Sequence, residues 1–167
     1  MPGAQELFKI RSLNEDDREW LISFVSQSWG STRIISRGRT YDVVLLPGYV
    51  GTINGQRVSL ATYHIKNKEC EMVTLESGVE GIGIGSALIE AVKGAAVSAG
   101  CRRLWLVTSN DNTNALRFYQ KRGFHLVAVY PNAIDRARKL KPEIPLIGAD
   151  GIRIRDELEL EIVFPDS

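Results

Sequence analysis

The sequence predicts an α/β (α+β) fold in which helices flank a central, mixed and mostly antiparallel sheet. Successive β-rich runs occupy residues 43–53, 58–65 and 69–77. The Asn54-Gly55 pair after the first run is a strong hairpin signal, so these runs indicate antiparallel strands. Strand and helix patterns then alternate over residues 69–130. A chain of 167 residues has the length of one domain.

The first third of the chain predicts a short strand, a helix and an irregular segment. The strand is expected at 7–10 and the helix at 14–29, where acids in the first turn precede an apolar face. Gly30 is suited to end that helix. Residues 30–41 are polar and basic, which favours a loop or a short irregular helix, and a strand is expected at 43–46.

The second half predicts regular elements separated by glycine and proline. Glycine is expected to end both central helices, and period-two alternation predicts the last strand. The expected elements are a helix from about 87 to Gly100, a strand at 103–109, a helix to about 122, a strand at 124–130, a short basic helix within 131–141, a loop at 142–151 and a strand at 157–164.

Composition and charge exclude several classes of protein. The formal net charge is +1, which argues against a nucleic-acid binder. The apolar runs are too short for a membrane span and no secretory signal is visible, so we expect a soluble, cytoplasmic protein. Cys70 and Cys101 cannot form a disulfide framework and no ligand spacing indicates a metal, so both are expected to be small buried side chains.

A glycine-rich turn at 78–86 precedes a predicted helix. Unpaired N–H groups at a helix N-terminus attract anions, and glycine lets a phosphate approach the backbone. A plain turn explains this segment equally well. The segment is not a P-loop, because no lysine follows the glycines. It also lacks the third glycine of a dinucleotide fingerprint, where Ser86 stands instead.

A second motif follows about thirty residues later and has the form Asn-x-x-Ala-x-x-Phe-Tyr-x-x-x-Gly-Phe. It comprises Asn112, Ala115, Phe118, Tyr119, Gly123 and Phe124. With the glycine turn, it resembles the GNAT superfamily of acetyl-CoA-dependent N-acetyltransferases. That family's Gln/Arg-x-x-Gly-x-Gly/Ala motif falls on 80–85. The acidic last strand is similar to that of an uncharacterised subgroup of GNAT proteins.

The resemblance implies a single GNAT domain over 1–167, with core motifs at about 58–130 and an extension at 131–167. The sheet is then expected to splay where the family's fourth and fifth strands part. Acetyl-CoA would donate an acetyl group directly to a primary amine in a ternary complex, without a metal or a covalent enzyme intermediate. No nucleic-acid or membrane partner is expected, and the protein would be a monomer or a homodimer.

The resemblance also implies roles for individual residues around the donor. The backbone at Val73 and Leu75 would hold the pantetheine arm, and Asn112 would bond its end or an ordered water. Tyr119 would protonate the departing thiolate, although it could instead simply pack beside Phe118. The diphosphate would lie against the amides of the glycine turn and the first helical turn, which comprise Gly81, Ile82, Gly83, Ile84, Gly85 and Ser86.

Three acidic residues near this motif leave alternatives open. Glu69 and Glu71 share strand parity, and either is a candidate general base. A water chain is the alternative, in which case both carboxylates belong to a solvated strand face. Glu80 departs from the family's Gln or Arg, and its charge would repel a diphosphate.

The sequence contains fewer motifs that identify the pocket for the acceptor amine. The segments 29–41 and 131–156 would form that pocket, with Trp29, Arg37 and Asp156 as candidate substrate-binding residues. An acid there would attract a cationic amine, whereas arginines would select a carboxylate-bearing one. A solvated strand end and a solvated basic helix explain the same charges.

Two rival functions remain open at this level. One is a non-catalytic acyl-CoA-binding or regulatory module on the same fold, since a fold does not determine function. The other is a dinucleotide-binding oxidoreductase, which the incomplete glycine fingerprint disfavours. The sequence does not identify the acceptor amine.

Overall fold

The computed structural model describes residues 7–165, which form nine strands and four α-helices within that range. Short 3-10 turns at Glu15–Asp17, Val43–Leu45 and Ala149–Gly151 join some of them. The strands are β1 (Lys9–Ser12), β2 (Arg33–Ser36), β3 (Arg39–Asp42), β4 (Gly48–Ile53), β5 (Gln56–Lys66), β6 (Glu69–Ser77), β7 (Arg103–Ser109), β8 (His125–Tyr130) and β9 (Glu157–Val163). The helices are α1 (Arg18–Trp29), α2 (Ile84–Ser98), α3 (Thr113–Lys121) and α4 (Ala133–Leu140).

Seven strands form one sheet in the order β1-β4-β5-β6-β7-β9-β8. All neighbours are antiparallel except β6 and β7, which are parallel. The fold is therefore the mixed, mostly antiparallel sheet with flanking helices that the sequence predicts. The Asn54-Gly55 turn connects β4 to β5 with positive φ at both residues, as a two-residue hairpin requires.

The parallel pair is short, and this opens the sheet. β6 and β7 pair only from Glu69 opposite Arg103 to Glu71 opposite Trp105. Beyond that point the two strands separate, as expected from the family resemblance. The remaining edge of β6 that faces β7 is left without a strand partner, and such an edge can bind an extended ligand.

Apolar cores cover both faces of the sheet. α2 packs on one face through Leu88, Ile89 and Val92, and α1 packs on the other through Leu21 and Val25. The first core also includes Leu104, Leu106, Phe124 and Leu160, and the second includes Ile34, Val43 and Leu60.

Two sequence expectations before residue 47 are wrong. Residues 30–41 contain the hairpin β2–β3 and are not only a loop or an irregular helix. Its turn is Arg37-Gly38, with φ of 49° and 77°, and the buried Ile34 and Ser36 alternate with more exposed residues. The basic side chains obscured this alternation.

The predicted strand at 43–46 is a 3-10 turn over Val43–Leu45. Asp42 precedes it, and its carboxylate accepts the Val44 N–H at 3.2 Å. This local capping bond competes with strand pairing, which explains the difference. In addition, β1 begins two residues later than the predicted 7–10.

The helix expected at 14–29 begins as a 3-10 turn and becomes α-helical at Arg18. Asn14 accepts the Asp16 N–H, and Asp17 accepts the Asn14 N–H, so the two residues form a capping box. Gly30 ends the helix at φ 80°, a conformation that favours glycine.

The basic helix α4 and the acidic strand β9 form as expected, but their charges are mostly paired. Arg138 donates to the carbonyl oxygens of Ile144, Pro145 and Ile154, and so fixes the segment after α4. On β9, Glu159 accepts hydrogen bonds from Arg103 and Tyr130. These hydrogen bonds attach the C-terminal segment to the sheet.

Candidate functional site

The glycine turn places unpaired N–H groups at the start of α2. Gly81 and Gly83 have φ of 80° and 86°, which L side chains rarely adopt. The first helical hydrogen bond runs from the Ala87 N–H to the Gly83 carbonyl, at 3.1 Å. The preceding N–H groups of the first turn therefore lie outside the helical ladder and form the positive end of the helix dipole. This geometry suits an anion such as a phosphate.

A cavity of about 720 Å³ lies against this turn, and we call it the turn cavity. Arg122, which follows α3, also lines it. The Arg122 Nε donates to Ser86 Oγ at 2.7 Å, and its guanidinium lies 3.5 Å above the Phe118 ring. The exposed Glu80 lies at the same cavity. The turn cavity thus combines backbone donors with one fixed cation and one acid.

A second cavity of about 500 Å³ lies where β6 and β7 separate, and we call it the strand cavity. Val73 and Leu75 of β6 line it from one side, and Val107 and Ser109 of β7 from the other. The end of α1, β2, α3 with its N-cap, α4 and the segment after α4 form most of the rest of its wall. Its volume is in the range of small-molecule sites.

The two cavities meet at a wall of three residues, Leu75, Ala115 and Tyr119, which line both. The Tyr119 ring packs edge-on against Phe118 and Phe124, with centroid distances of 5.3 Å and 5.4 Å. Burial raises the pKa of the Tyr119 hydroxyl, so the group is a neutral O–H donor at neutral pH. A ligand that fills both cavities must pass this hydroxyl-bearing side chain.

Asn112 holds the start of α3 beside that wall. Its Oδ1 accepts the Ala115 N–H at 3.1 Å, which is the bond of a helix N-cap. Asn112 also lines the strand cavity. The amide oxygen of Asn112 is therefore already engaged in the capping bond.

Glu71 is a buried carboxylate behind the strand cavity. The Ser36 hydroxyl donates to Glu71 Oε2 at 2.5 Å, and the Tyr41 hydroxyl donates to Oε1 at 2.7 Å. Burial raises the pKa of Glu71, and the two hydrogen bonds oppose that change. Burial and the bond to Glu71 raise the pKa of Tyr41 to about 12. Ser36 lines the strand cavity, so it connects Glu71 to that space.

Glu69 has different surroundings. Its Oε1 accepts from Arg103 Nε at 2.9 Å, and Arg103 Nη1 also binds Glu159 and Glu161 at 2.9 Å and 2.8 Å. Glu69 lines neither cavity. The two acids that share strand parity are therefore engaged by different groups.

The predicted acceptor residues are dispersed. Trp29 lines the strand cavity, whereas Arg37 and Asp156 line neither cavity. Arg37 lies 3.2 Å above the Tyr130 ring and binds Glu157 Oε1 at 3.0 Å, and Glu157 does line the strand cavity. Asp156 binds Arg155 and accepts the Asn132 N–H at 2.8 Å.

Lys141, which follows α4, is a buried cation on the strand cavity. Its Nζ donates to the Arg33 carbonyl at 2.7 Å, and burial lowers its pKa. Sequence reasoning assigned no site role to Lys141, Ser36 or Arg122. Ser36 lies in the segment expected to be a loop, and the other two resemble ordinary charges at the end of a helix.

Neither cysteine offers a reactive thiolate. Cys70 and Cys101 are buried, and burial raises the pKa of the Cys70 thiol to about 12. Burial also raises the pKa of Cys101. Neither lines the strand cavity or the turn cavity.

The predicted donor-binding residues are distributed over both cavities. Ile82 lines neither cavity. Val73 and Asn112 line only the strand cavity. The turn cavity is lined by Leu75, Gly81, Gly83, Ile84, Gly85, Ser86 and Tyr119.

Comparison with known proteins identifies the class. Residues 14–124 match the model of the acetyltransferase (GNAT) family. YdhI and YxbD, two uncharacterized proteins of Bacillus subtilis, are each 41% identical to the chain. Those matches cover 87% and 86% of this chain, and 91% of each relative. The chain belongs to the GNAT acetyltransferase family.

Solved structures show the same fold. A GNAT family acetyltransferase from Elizabethkingia anophelis with acetyl-CoA bound has a TM-score of 0.69 at 16% identity, over 96% of this chain and 100% of that one. yncA, a putative acetyltransferase from Salmonella typhimurium with acetyl-CoA, has a TM-score of 0.70 at 16% identity, over 96% of each chain. The family supports an acyltransferase. Within residues 7–165, no helix is long and apolar enough to cross a membrane.

Proposed function

We propose that this protein is an N-acetyltransferase that transfers the acetyl group of acetyl-CoA to a primary amine by direct attack in a ternary complex. One observation carries the proposal, namely that the turn cavity and the strand cavity meet at Tyr119. The diphosphate of the donor and a small acceptor can then occupy separate cavities, and the thioester can react at the shared wall. Holding two reactants together in this way supplies much of the rate.

The residues of the turn cavity and of the adjoining β6 edge fit the donor. The N–H groups of the glycine turn and the first turn of α2 face the diphosphate, and the Arg122 guanidinium adds a positive charge. The free edge of β6 at Val73 and Leu75 offers backbone groups to the pantetheine arm. Asn112 would bond the end of that arm or an ordered water. Bound acetyl-CoA supplies an activated thioester.

The shared wall supplies electrophilic and acid assistance. In this proposal the backbone N–H near Leu75 polarises the thioester carbonyl. The amine nitrogen forms a bond to the carbonyl carbon, and the carbon–sulfur bond breaks. The Tyr119 hydroxyl donates its proton to the leaving sulfur, a role that a neutral O–H donor can perform.

Loss of the amine proton is assigned to Glu71 acting through Ser36. The Ser36 Oγ accepts a proton from the amine while its own proton passes to Glu71 Oε2, 2.5 Å away. The raised pKa of Glu71 makes the carboxylate a better base than an exposed one. Glu69 is less suited, because Arg103 holds it and it lines neither cavity.

Release of free CoA from acetyl-CoA with a panel of primary amines tests the function. We expect turnover with some amines, and Tyr119→Phe should lower kcat by about 100-fold with little change in KM for acetyl-CoA. Phe118→Leu serves as a control for altered packing at the same wall.

Binding of acetyl-CoA without turnover on any amine would favour the non-catalytic module. Thermal stabilisation by NAD(H) but not by acetyl-CoA would contradict both the acetyltransferase and the non-catalytic acyl-CoA-binding module. An unchanged kcat in Tyr119→Phe would remove the tyrosine from the acid role.

A further inference from the structure

Lys141 has a position that the proposed reaction does not explain. It is 4% exposed and immediately follows α4, and its Nζ reaches the Arg33 carbonyl at the start of β2. It lines the strand cavity beside Ile34, Ala137 and Ile144. A buried ammonium on the wall of a cavity with apolar neighbours is costly unless it gains a further partner.

The part of the chain that the structure describes offers Lys141 no close counter-ion. Among residues 7–165, no carboxylate oxygen lies within 4.0 Å of its Nζ. Glu143 raises the pKa of Lys141, but Glu143 is exposed to solvent, while burial and Arg33 lower that pKa. The other acid on the cavity, Glu157, is already bound to Arg37.

The rest of the strand cavity is suited to an apolar body. Hydrophobic side chains of β2, β6, β7 and the segment after α4 form much of its wall, among them Ile35, Met72, Leu106, Pro145 and Ile154. Such a cavity favours a molecule whose charged groups lie only at its ends.

We propose that Lys141 binds a carboxylate of the acceptor, so that the acceptor is an amino carboxylate with an apolar spacer. The inference rests on the proposed function, which places the reacting amine at Ser36. A carboxylate would complete the hydrogen bonding of the ammonium, since only one of its three donors is used by the Arg33 carbonyl.

The spacing along β2 selects among amino carboxylates. Arg33 and Ser36 are three residues apart on the strand, which is roughly 10 Å. An α-amino acid holds its two charged groups on one carbon, so it spans less of this distance than an amino carboxylate with a longer spacer. A free ω-amino carboxylate such as 6-aminohexanoate, or a dipeptide, can approach both.

Matched acceptors test the proposal by turnover and by binding to the CoA-loaded protein. The pairs are 6-aminohexanoate against hexylamine, and glycyl-leucine against its C-terminal amide. We expect the carboxylate-bearing member to have the higher kcat/KM and the tighter binding. Lys141→Met should reduce that preference by about 10- to 100-fold. Lys139→Met, at an exposed lysine of α4, should leave the preference unchanged.

The outcomes test the role of Lys141 separately from the acetyltransferase activity. Turnover of amines with no carboxylate preference overturns the role of Lys141 and leaves the acetyltransferase assignment intact. A preference that survives in Lys141→Met also overturns it. If no amine is acetylated, tighter Lys141-dependent binding of the carboxylates still supports the site, and its absence rejects it. If Lys141→Met does not fold, the two acceptor pairs on the parent protein decide.

Discussion

Glu69 and Glu71 are two residues apart on β6, yet their carboxylates meet opposite kinds of neighbour. Arg103 holds Glu69 as an ion pair, whereas the hydroxyl groups of Ser36 and Tyr41 bind Glu71, on which Arg39 acts without a direct ion pair. An ion pair favours the charged carboxylate, and burial favours the neutral one. Glu69 is therefore suited to a structural ion pair, and Glu71 is suited to accepting a proton.

The pH dependence of kcat should distinguish these two acids. Ser36→Ala and Glu71→Gln are each expected to lower kcat by about 100-fold at neutral pH, because the amine loses its route for the proton. The loss should shrink as pH rises toward the pKa of the acceptor amine, which then arrives already neutral. In the parent, kcat should fall as pH falls through the raised pKa of Glu71.

Glu69→Gln is the matched control at the same strand, and it should keep the parental kcat and pH profile. A large loss in Glu69→Gln with none in Ser36→Ala would assign the base to Glu69. If kcat falls in neither variant, a water chain would be the route for the amine proton.

Most candidate site residues could be predicted where a local motif or the strand parity of Glu71 carries them. Tyr119 and the glycines belong to motifs whose spacing is visible in the sequence. Ser36 contacts Glu71 across 35 residues of sequence, and Lys141 contacts Arg33 across 108. Such contacts depend on how the hairpin and α4 pack, and no local pattern reports them.

Among the elements, the glycine turn and α3 together determine the charge of the turn cavity. A Cβ added at Gly85 would lie 3.1 Å from Phe118 Cζ, so the small residue lets α3 pack closely against α2. This packing brings Arg122 to Ser86. An acid and a cation, Glu80 and Arg122, therefore line one cavity.

Opposite changes in affinity for acetyl-CoA are expected from these two charges. Glu80→Gln should lower the KM about twofold to threefold, because it removes a repulsive charge that solvent partly screens. Arg122→Gln should raise the KM about tenfold through loss of a charge-assisted hydrogen bond. Initial rates at varied acetyl-CoA measure both.

Lys121→Gln changes an exposed neighbouring charge outside the cavity and should leave the KM unchanged. An unchanged or raised KM in Glu80→Gln would mean that this carboxylate points away from the diphosphate.

Elements with strong local signals were predicted well. The Asn54-Gly55 hairpin and the glycine that follows α2 correspond to turns with positive φ. The β2–β3 hairpin was missed because its strands are only four residues each and both begin with an arginine. The Val43–Leu45 turn was missed because its apolar residues suit a strand equally well.

At the scale of the whole molecule, Asp17 ties the N-terminal elements to the sheet. It is 1% exposed and accepts both Arg11 Nη atoms at 2.8 Å and Arg57 Nε at 2.7 Å. The hydrogen bonds from Arg11 hold its pKa far below the usual range. β1, the start of α1 and β5 thus share one carboxylate.

This carboxylate should stabilise the fold at neutral pH and make its stability fall in acid. A lowered pKa stabilises the fold above the pKa of the unfolded chain, and that contribution is lost as pH falls below about 4. Asp17→Asn should reduce the free energy of unfolding by about 2 kcal/mol at pH 7, since two partly exposed arginines lose their charged partner. It should also flatten the dependence of stability on pH below about 4.

Urea unfolding at several pH values measures both effects. Asp16→Asn, at an exposed acid one residue earlier, should change stability by less than about 0.5 kcal/mol. Equal stability of Asp17→Asn and the parent at pH 7 would contradict the assignment.

The narrow wall between the two cavities has a consequence for inhibition. Under the proposed function, a molecule that extends from a CoA thiol past Tyr119 into the strand cavity would occupy both sites at once. Once its CoA half is bound, its second half meets the strand cavity at an effective concentration that a short linker can raise into the millimolar range. A bisubstrate compound ending in a carboxylate could then bind far more tightly than either substrate alone.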